Sequence, residues 1–323
     1  MTAHSETLKP LGRSGVMVPR LGVGAMTWGD AKGLARLHPA KIAYGGAHGR
    51  DEEERALAAS LAAGVTLFDT AAMYSGGASE LRLGELARGR DILIATKFPP
   101  GIGSRTEDMP RALDASLARL GRSAIDLYQH HFPTNRVSIP QLMDLMADAV
   151  EAGKVRAVGV SNYSSEQIRI AHAALARRGI PLASNQVEYS LLHRQPETNG
   201  VLEACRELGI TLIAYRPLAS GALTGKYAGG VKPRGLRRFS GSFRGKGPQA
   251  TAPVLAMLRE IGARYSKTPA QVALRWLIEN DSVLPIPGAK NGKQAADNAG
   301  ALSFALAPAE IVTLNEATRA WRV

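Results

Sequence analysis

Cysteine is nearly missing from this 323-residue chain. Cys205 stands alone, which excludes an internal disulfide framework. It lies in Val201-Leu202-Glu203-Ala204-Cys205-Arg206-Glu207-Leu208, where it reads as a small core-facing helix residue. No apolar run approaches the roughly 18 residues of a membrane span. Met1 to Pro10 are polar and lack the apolar stretch of a secretory signal. No histidine or cysteine spacing of the zinc-site kind occurs, so no metal is expected. No G-x-G-x-x-G follows a predicted strand, which disfavours a doubly wound dinucleotide fold. With 45% apolar residues the chain still has ample material for a core. The expectation is a soluble, cytoplasmic globular protein, a monomer or a simple homo-oligomer.

Acidic residues are also short, 28 against 40 Lys and Arg, for a formal net charge of +12. They are absent from Lys226 to Lys246, which holds Lys226, Lys232, Arg234, Arg237, Arg238, Arg244 and Lys246 among many glycines. That stretch reads as a long flexible loop suited to closing over a phosphorylated ligand. A nucleic-acid partner would call for interleaved aromatics, and only Phe239 and Phe243 lie there, so none is expected.

What is present is a sustained strand–helix alternation. Strands are predicted at Leu21–Gly24, Val65–Phe68, Ile92–Thr96, Ile125–Gln129, Val155–Val160, Leu182–Val187, Ile210–Tyr215 and Val283–Ile286. The helical patterns after them run over Asp51–Ala63, Ser79–Arg88, Met109–Leu120, Ile139–Ala152, Ser164–Arg178, Glu197–Leu208, Pro253–Tyr265 and Gln294–Gly300. Gly64, Gly121, Gly153, Gly179 and Gly209 fall where a left-handed residue ends a helix. Eight such units predict an α/β fold, a (β/α)8 TIM barrel with its site at the strand C-termini. Leu8 to Val18 reads as an N-terminal β-hairpin capping the barrel floor, and Pro308 to Val323 as an additional C-terminal helix. The repeat crosses every candidate boundary, so residues 1–323 are expected to be one domain.

Chemistry gathers just past three consecutive strands. Val65-Thr66-Leu67-Phe68 runs into Asp69, with Tyr74 in the next loop; Ile92 to Thr96 runs into Lys97; Ile125 to Gln129 runs into His130 and His131. Parallel strands would place this acid, phenol, amine and imidazole on one face, where they make a proton-transfer site. Side chains alternate along a strand, so His130 and His131 should point to opposite faces and not share a metal.

In their local contexts these residues resemble the aldo-keto reductase family, in its NADPH-dependent bacterial and plant-type branch. Gly64-Val65-Thr66-Leu67-Phe68-Asp69-Thr70-Ala71-Ala72-Met73-Tyr74 is similar to the signature carrying the family's catalytic Asp and Tyr, and Thr96-Lys97 to its lysine motif. Asp126-Leu127-Tyr128-Gln129-His130-His131-Phe132-Pro133 resembles D-L-Y-Q-L-H-W-P, which makes His131 the catalytic histidine and puts His130 in place of a typical leucine. The resemblance covers nearly the whole chain. Gly153 to Asn162 matches the segment whose Ser and Asn, here Ser161 and Asn162, bind the nicotinamide carboxamide, and Gln186 matches the glutamine that joins them.

Ala214-Tyr215-Arg216-Pro217-Leu218-Ala219 and Leu223 to Tyr227 match the aromatic platform and the pyrophosphate loop, implicating Tyr215, Arg216, Leu218 and Lys226. Ile286 to Lys290 with Gln294 and Asn298 matches the adenosine-phosphate end, implicating Gly288 and Lys290. Met26 and Asp69 complete the cofactor set that the resemblance implies. The chain departs from the pattern in three places. Arg216 stands where many members have Ser, Gln294 stands where many have an Arg that grips the 2′-phosphate, and Gly29 to Arg50 is longer than the minimal loop, with Lys32, Arg36, His38, Lys41 and Arg50 at the expected substrate mouth.

The implied activity is reduction of an aldehyde or ketone by NADPH, with NADH possible. A phenol near its unperturbed pKa of about 10 is a poor acid at neutrality. An adjacent ammonium favours the phenolate, and a carboxylate keeps that ammonium charged. Tyr74 is thus expected as general acid/base, Lys97 as its tuner, Asp69 as partner of Lys97 and His131 as carbonyl orienter. Two alternatives remain open: a Schiff-base lyase using Lys97, and a cofactor-binding regulatory subunit of the channel-associated branch, with little turnover.

Overall fold

The structure, a computed structural model, describes residues 8–30, 48–99, 108–133, 137–227, 231, 233, 243 and 247–322. Several expectations lie outside the described residues: Lys32, Arg36, His38 and Lys41 at the substrate mouth, and most of the cationic stretch from Lys226 to Lys246 with its closing role.

The chain opens with β1 (Leu8–Pro10) and β2 (Met17–Pro19), an antiparallel pair. The barrel strands follow: β3 (Val23–Gly24), β4 (Leu67–Asp69), β5 (Leu93–Phe98), β6 (Leu127–His130), β7 (Val158–Ser161), β8 (Leu182–Glu188), β9 (Thr211–Tyr215) and β10 (Val283–Pro285). All eight are parallel and ordered by sequence. First and last strands meet: the Gly22 and Gly24 amides donate to Pro285 O and Pro287 O, each at 3.0 Å, and Gly24 bridges Gly288. The sheet therefore closes into the predicted barrel.

Between the strands lie α1 (Arg50–Ala62), α2 (Ala78–Leu86), α3 (Asp108–Leu120), α4 (Ile139–Glu151), α5 (Ser165–Ala176) and α6 (Val201–Leu208). Ser138 and Ser164 start α4 and α5 with reciprocal capping boxes to Gln141 and Gln167. The five predicted stop glycines all adopt left-handed φ, between +62° and +75°. The seventh unit departs from the sequence reading. Its helix α7 (Gly247–Tyr265) begins six residues before Pro253, so the proline stands inside the helix and leaves one carbonyl of the preceding turn without its amide donor. A further helix, α8 (Pro269–Ile278), escaped the reading altogether. Its signal was legible: Thr268 and Gln271 form a capping box with Pro269 at the first position. The chain ends with α9 (Gly292–Ala299) and α10 (Pro308–Ala317), the latter the predicted added helix. Among the described residues no helix is long and apolar enough to cross a membrane.

Strand alternation divides the apolar residues into two cores. Outward-facing side chains pack on the helices, and Cys205 is fully buried among them. Inward-facing Leu67, Ala95, Leu127, Ala157, Ala183, Ile213 and Leu284 fill the lower barrel, and Leu11, Val16 and Val18 of the hairpin plug it from below. Lys9 secures that plug by donating to Asp281 O and Val283 O, both at 2.8 Å. The hairpin turn is equally tight: Gly12 has φ +56°, and a Cβ there would lie 2.5 Å from Ala183 O. Gly12→Ala should lower stability by about 1–3 kcal/mol, since backbone cannot yield as a side chain does. An unchanged urea midpoint would show that the hairpin does not seat against the barrel.

Candidate active site

Asp69 ends β4, and the chain beyond it keeps pairing with β5: Thr70 donates to Ala95 O at 2.8 Å and Ala72 to Lys97 O at 2.9 Å. This extension turns Tyr74 back toward Lys97. Lys97 is wholly buried, with Nζ donating to Asp69 Oδ1 at 2.6 Å and to Thr70 O at 2.8 Å. The same ammonium lies 5.1 Å from the Tyr74 ring centroid, and the His131 ring meets Tyr74 edge-on at 5.7 Å. All four residues singled out from the sequence thus converge at the upper mouth of the barrel.

Electrostatics divide the labour among them. Burial alone would lower the Lys97 pKa, but Asp69 and then Tyr74 outweigh it and hold the amine protonated. For Tyr74, burial is the largest influence and leaves the phenol above its ordinary value. Lys97 pulls downward as anticipated, with smaller help from Arg216, yet the net position is upward because a phenolate is costly in an enclosed site. Burial, then Lys97, then His130, drives His131 down to about 3, so its imidazole is neutral across the physiological range. Its Nδ1 is buried without a hydrogen-bond partner among the described residues.

Around this centre the ends of β7, β8 and β9 form one network. Asn162, at φ +61°, donates to His131 O at 3.1 Å and to Ser161 Oγ at 3.0 Å, and accepts from Tyr215 O–H at 3.0 Å. Ser161 Oγ donates to Gln186 O at 2.8 Å, and Gln186 Nε2 donates to Asp69 Oδ2 at 2.9 Å. Past β9, exposed Arg216 pairs with Glu188 at 3.1 Å and lies 6.0 Å from the Tyr215 ring. Leu218 and Lys226 belong to a turn, residues 216 to 226, in which Arg216, Ala219, Ser220, Gly221 and Gly225 all have positive φ. Backbone hydrogen bonds hold it in shape: Ala219 N–H donates to Arg216 O at 2.8 Å and Gly221 N–H to Leu218 O at 2.9 Å.

At the barrel seam, Gly288 bridges Gly24, and Trp28 Nε1 donates to Ala289 O at 2.7 Å, which holds the segment bearing Met26 beside it. Gln294 turns its side-chain oxygen onto the Lys290 amide at 3.0 Å, and Asn298 donates to Gly288 O at 3.3 Å. Amide, aromatic and cationic side chains thus follow one another along the rim from the end of β7 to the start of α9.

The family model "Aldo/keto reductase family" matches residues 20–319. The chain belongs to the aldo/keto reductase family. It is an NAD(P)H-dependent oxidoreductase that acts on carbonyls. The aldo-keto reductase str7 of Strobilurus tenacellus is 34% identical over 93% of this chain and 89% of its own length. The aldo-keto reductase yakc [NADP(+)] of Schizosaccharomyces pombe is 33% identical over 93% of this chain and 88% of its own. Among solved structures, the thermostable aldo-keto reductase Tm1743 superposes with TM-score 0.75 at 28% identity, covering 96% of this chain and 99% of its own.

Two side chains near this reductase centre were not singled out from the sequence. Gln129, wholly buried, reaches Asp69 Oδ2 at 3.4 Å. Alternation along β6 was the available signal, because Gln129 shares the inward face with His131. Glu188, the partner of Arg216, had no such signal, since its pairing depends on how two strand ends are placed. His130 points outward as expected: its Nδ1 is 2.8 Å from the Tyr163 hydroxyl, and its ring stacks on Phe98.

Burial holds His130 down at about 4. With folded pKa values of about 4 and 3 for His130 and His131, against about 6.5 unfolded, only the unfolded chain takes up these protons between those limits. Their contribution to stability is therefore complete above about pH 6.5 and lost as pH falls toward 4 and below. His130→Leu should flatten that acid loss in thermal unfolding scans; an unaltered slope would mean that the histidine does not titrate on unfolding.

Proposed function

We propose that this protein reduces an aldehyde or ketone to an alcohol with NADPH, and that Tyr74 is the general acid. The observation that carries the reading is the buried Lys97–Asp69 ion pair, 2.6 Å long, with Tyr74 and His131 set upon it. When bound, NADPH supplies the hydride to the carbonyl carbon. Ser161, Asn162 and Gln186 would hold its carboxamide, Tyr215 its ring, the turn with Arg216, Leu218 and Lys226 its pyrophosphate, and Met26, Gly288, Lys290, Gln294 and Asn298 its adenosine end.

As the carbonyl oxygen gains negative charge, the Tyr74 O–H bond breaks and its proton passes to that oxygen. Lys97 stabilises the phenolate left behind, and Asp69 keeps Lys97 charged throughout. Neutral His131 donates a hydrogen bond to the same oxygen and fixes its approach without competing as an acid. The protonated state of Lys97 weighs against a Schiff-base lyase, which needs a free amine. Because the groups come from strands all round the barrel, residues 1–323 are best taken as one domain.

Tyr74→Phe should reduce turnover by at least about 10²-fold while leaving NADPH affinity within a few-fold. Retention of a tenth of the activity would remove Tyr74 from this role. Cofactor choice follows from the cations Lys290, Lys226 and Arg216. NADPH should bind more tightly than NADH by about 1–3 kcal/mol, read by fluorescence titration at moderate salt. Equal affinities would overturn the preference.

A further inference from the structure

We propose that Gln129 is a positioning residue, a buried amide that ties the Ser161–Asn162–Gln186 cluster to the Lys97–Asp69 pair. The inference rests on the reading of Tyr74 as proton donor and extends it one layer into the barrel. Asp69 is almost fully buried and spends Oδ1 on Lys97. Its second oxygen points toward the barrel interior, where an unsatisfied carboxylate oxygen is expensive. Two side-chain amides meet it there: Gln186 Nε2 at 2.9 Å and Gln129 Nε2 at 3.4 Å. The amides also meet each other, since Gln186 Nε2 lies 3.4 Å from Gln129 Oε1. The three side chains close a ring, and Gln186 belongs both to it and to the cluster above.

The barrel makes room for this arrangement. In register, Gln129 sits between Lys97 on β5 and Gly159 on β7. A Cβ at Gly159 would lie 2.9 Å from Gln129 Cγ and 2.3 Å from Ser184 Oγ, so a side chain there would push the amide away from Asp69. The layer immediately below is apolar, with Leu67, Ala95, Leu127 and Ala157, and packing alone would have been served by another leucine at 129.

The chemical consequence follows from charge. Amide N–H groups on Oδ2 draw off part of the carboxylate's negative charge, so less of it cancels the Lys97 ammonium felt by Tyr74. Without Gln129, Asp69 would counter Lys97 more fully and Tyr74 would hold its proton more tightly. Gln186 would also lose an acceptor that fixes the plane of its amide, and with it the edge offered to a carboxamide.

The test uses Gln129→Leu and Gln129→Met in the full chain, two shapes that keep the volume and remove the donor, with thermal unfolding recorded for each. NADPH affinity, read by tryptophan fluorescence without substrate, should weaken about 3- to 10-fold. Carbonyl reduction needs the protonated phenol and is lost as pH rises through its pKa, so that alkaline limb should move upward by about half a unit or more. Parental NADPH affinity together with an unmoved limb, any rate loss being uniform in pH, would reduce Gln129 to filler. Should Tyr74→Phe prove active, the proton-donor reading fails, and the affinity measurement still decides whether Gln129 orders the cluster.

Discussion

An ammonium with no exposure to solvent organises this protein. Lys97 is carried on β5 into the interior of the barrel, where desolvation would discharge it. Asp69, from the neighbouring strand, supplies the opposing charge, and the Thr70 carbonyl supplies a second acceptor. A buried ion pair of this kind is not a bargain for stability, since both charges lose their water. Its value lies in placing a fixed positive charge beside a phenol, in an enclosure where field is little screened. The closure of the barrel, the plug below it and the extension of the chain past β4 all preserve that enclosure.

The surrounding polar groups extend the same constraint outward. Each oxygen of Asp69 has a donor, each arm of the Asn162 amide has a partner, and Tyr215 is anchored through its hydroxyl. Such a network has few alternative arrangements, because breaking one bond leaves a buried group unpaired. Pre-organisation follows directly. The Ser161–Asn162–Gln186 cluster and the Lys97–Asp69 pair share hydrogen bonds, so neither set can shift without disturbing the other.

Much of this was legible beforehand. Strand–helix alternation and the stop glycines carried the barrel, because periods of two and 3.6 residues and left-handed termini are written locally. Asp69, Tyr74, Lys97 and His131 could be found because parallel strands deliver their C-terminal residues to one face whatever the details of packing. The helix at Pro269–Ile278 was missed although its cap was written in Thr268 and Gln271; the expected one-helix unit masked it.

The order of elements, the face on which the chemistry gathers, and the kinds of group gathered there are written in local residue patterns. Their mutual state arises from the folded barrel. The net upward displacement of the Tyr74 pKa, the neutral His131, the engagement of Gln294 with the Lys290 backbone, and the ring of Asp69, Gln129 and Gln186 depend on contacts between residues far apart in the chain. Gln186 is 117 residues from the carboxylate that it binds. Local patterns encode backbone conformation and facing, whereas charge states and hydrogen-bond partners are settled by distance and burial, which exist only once the barrel has closed.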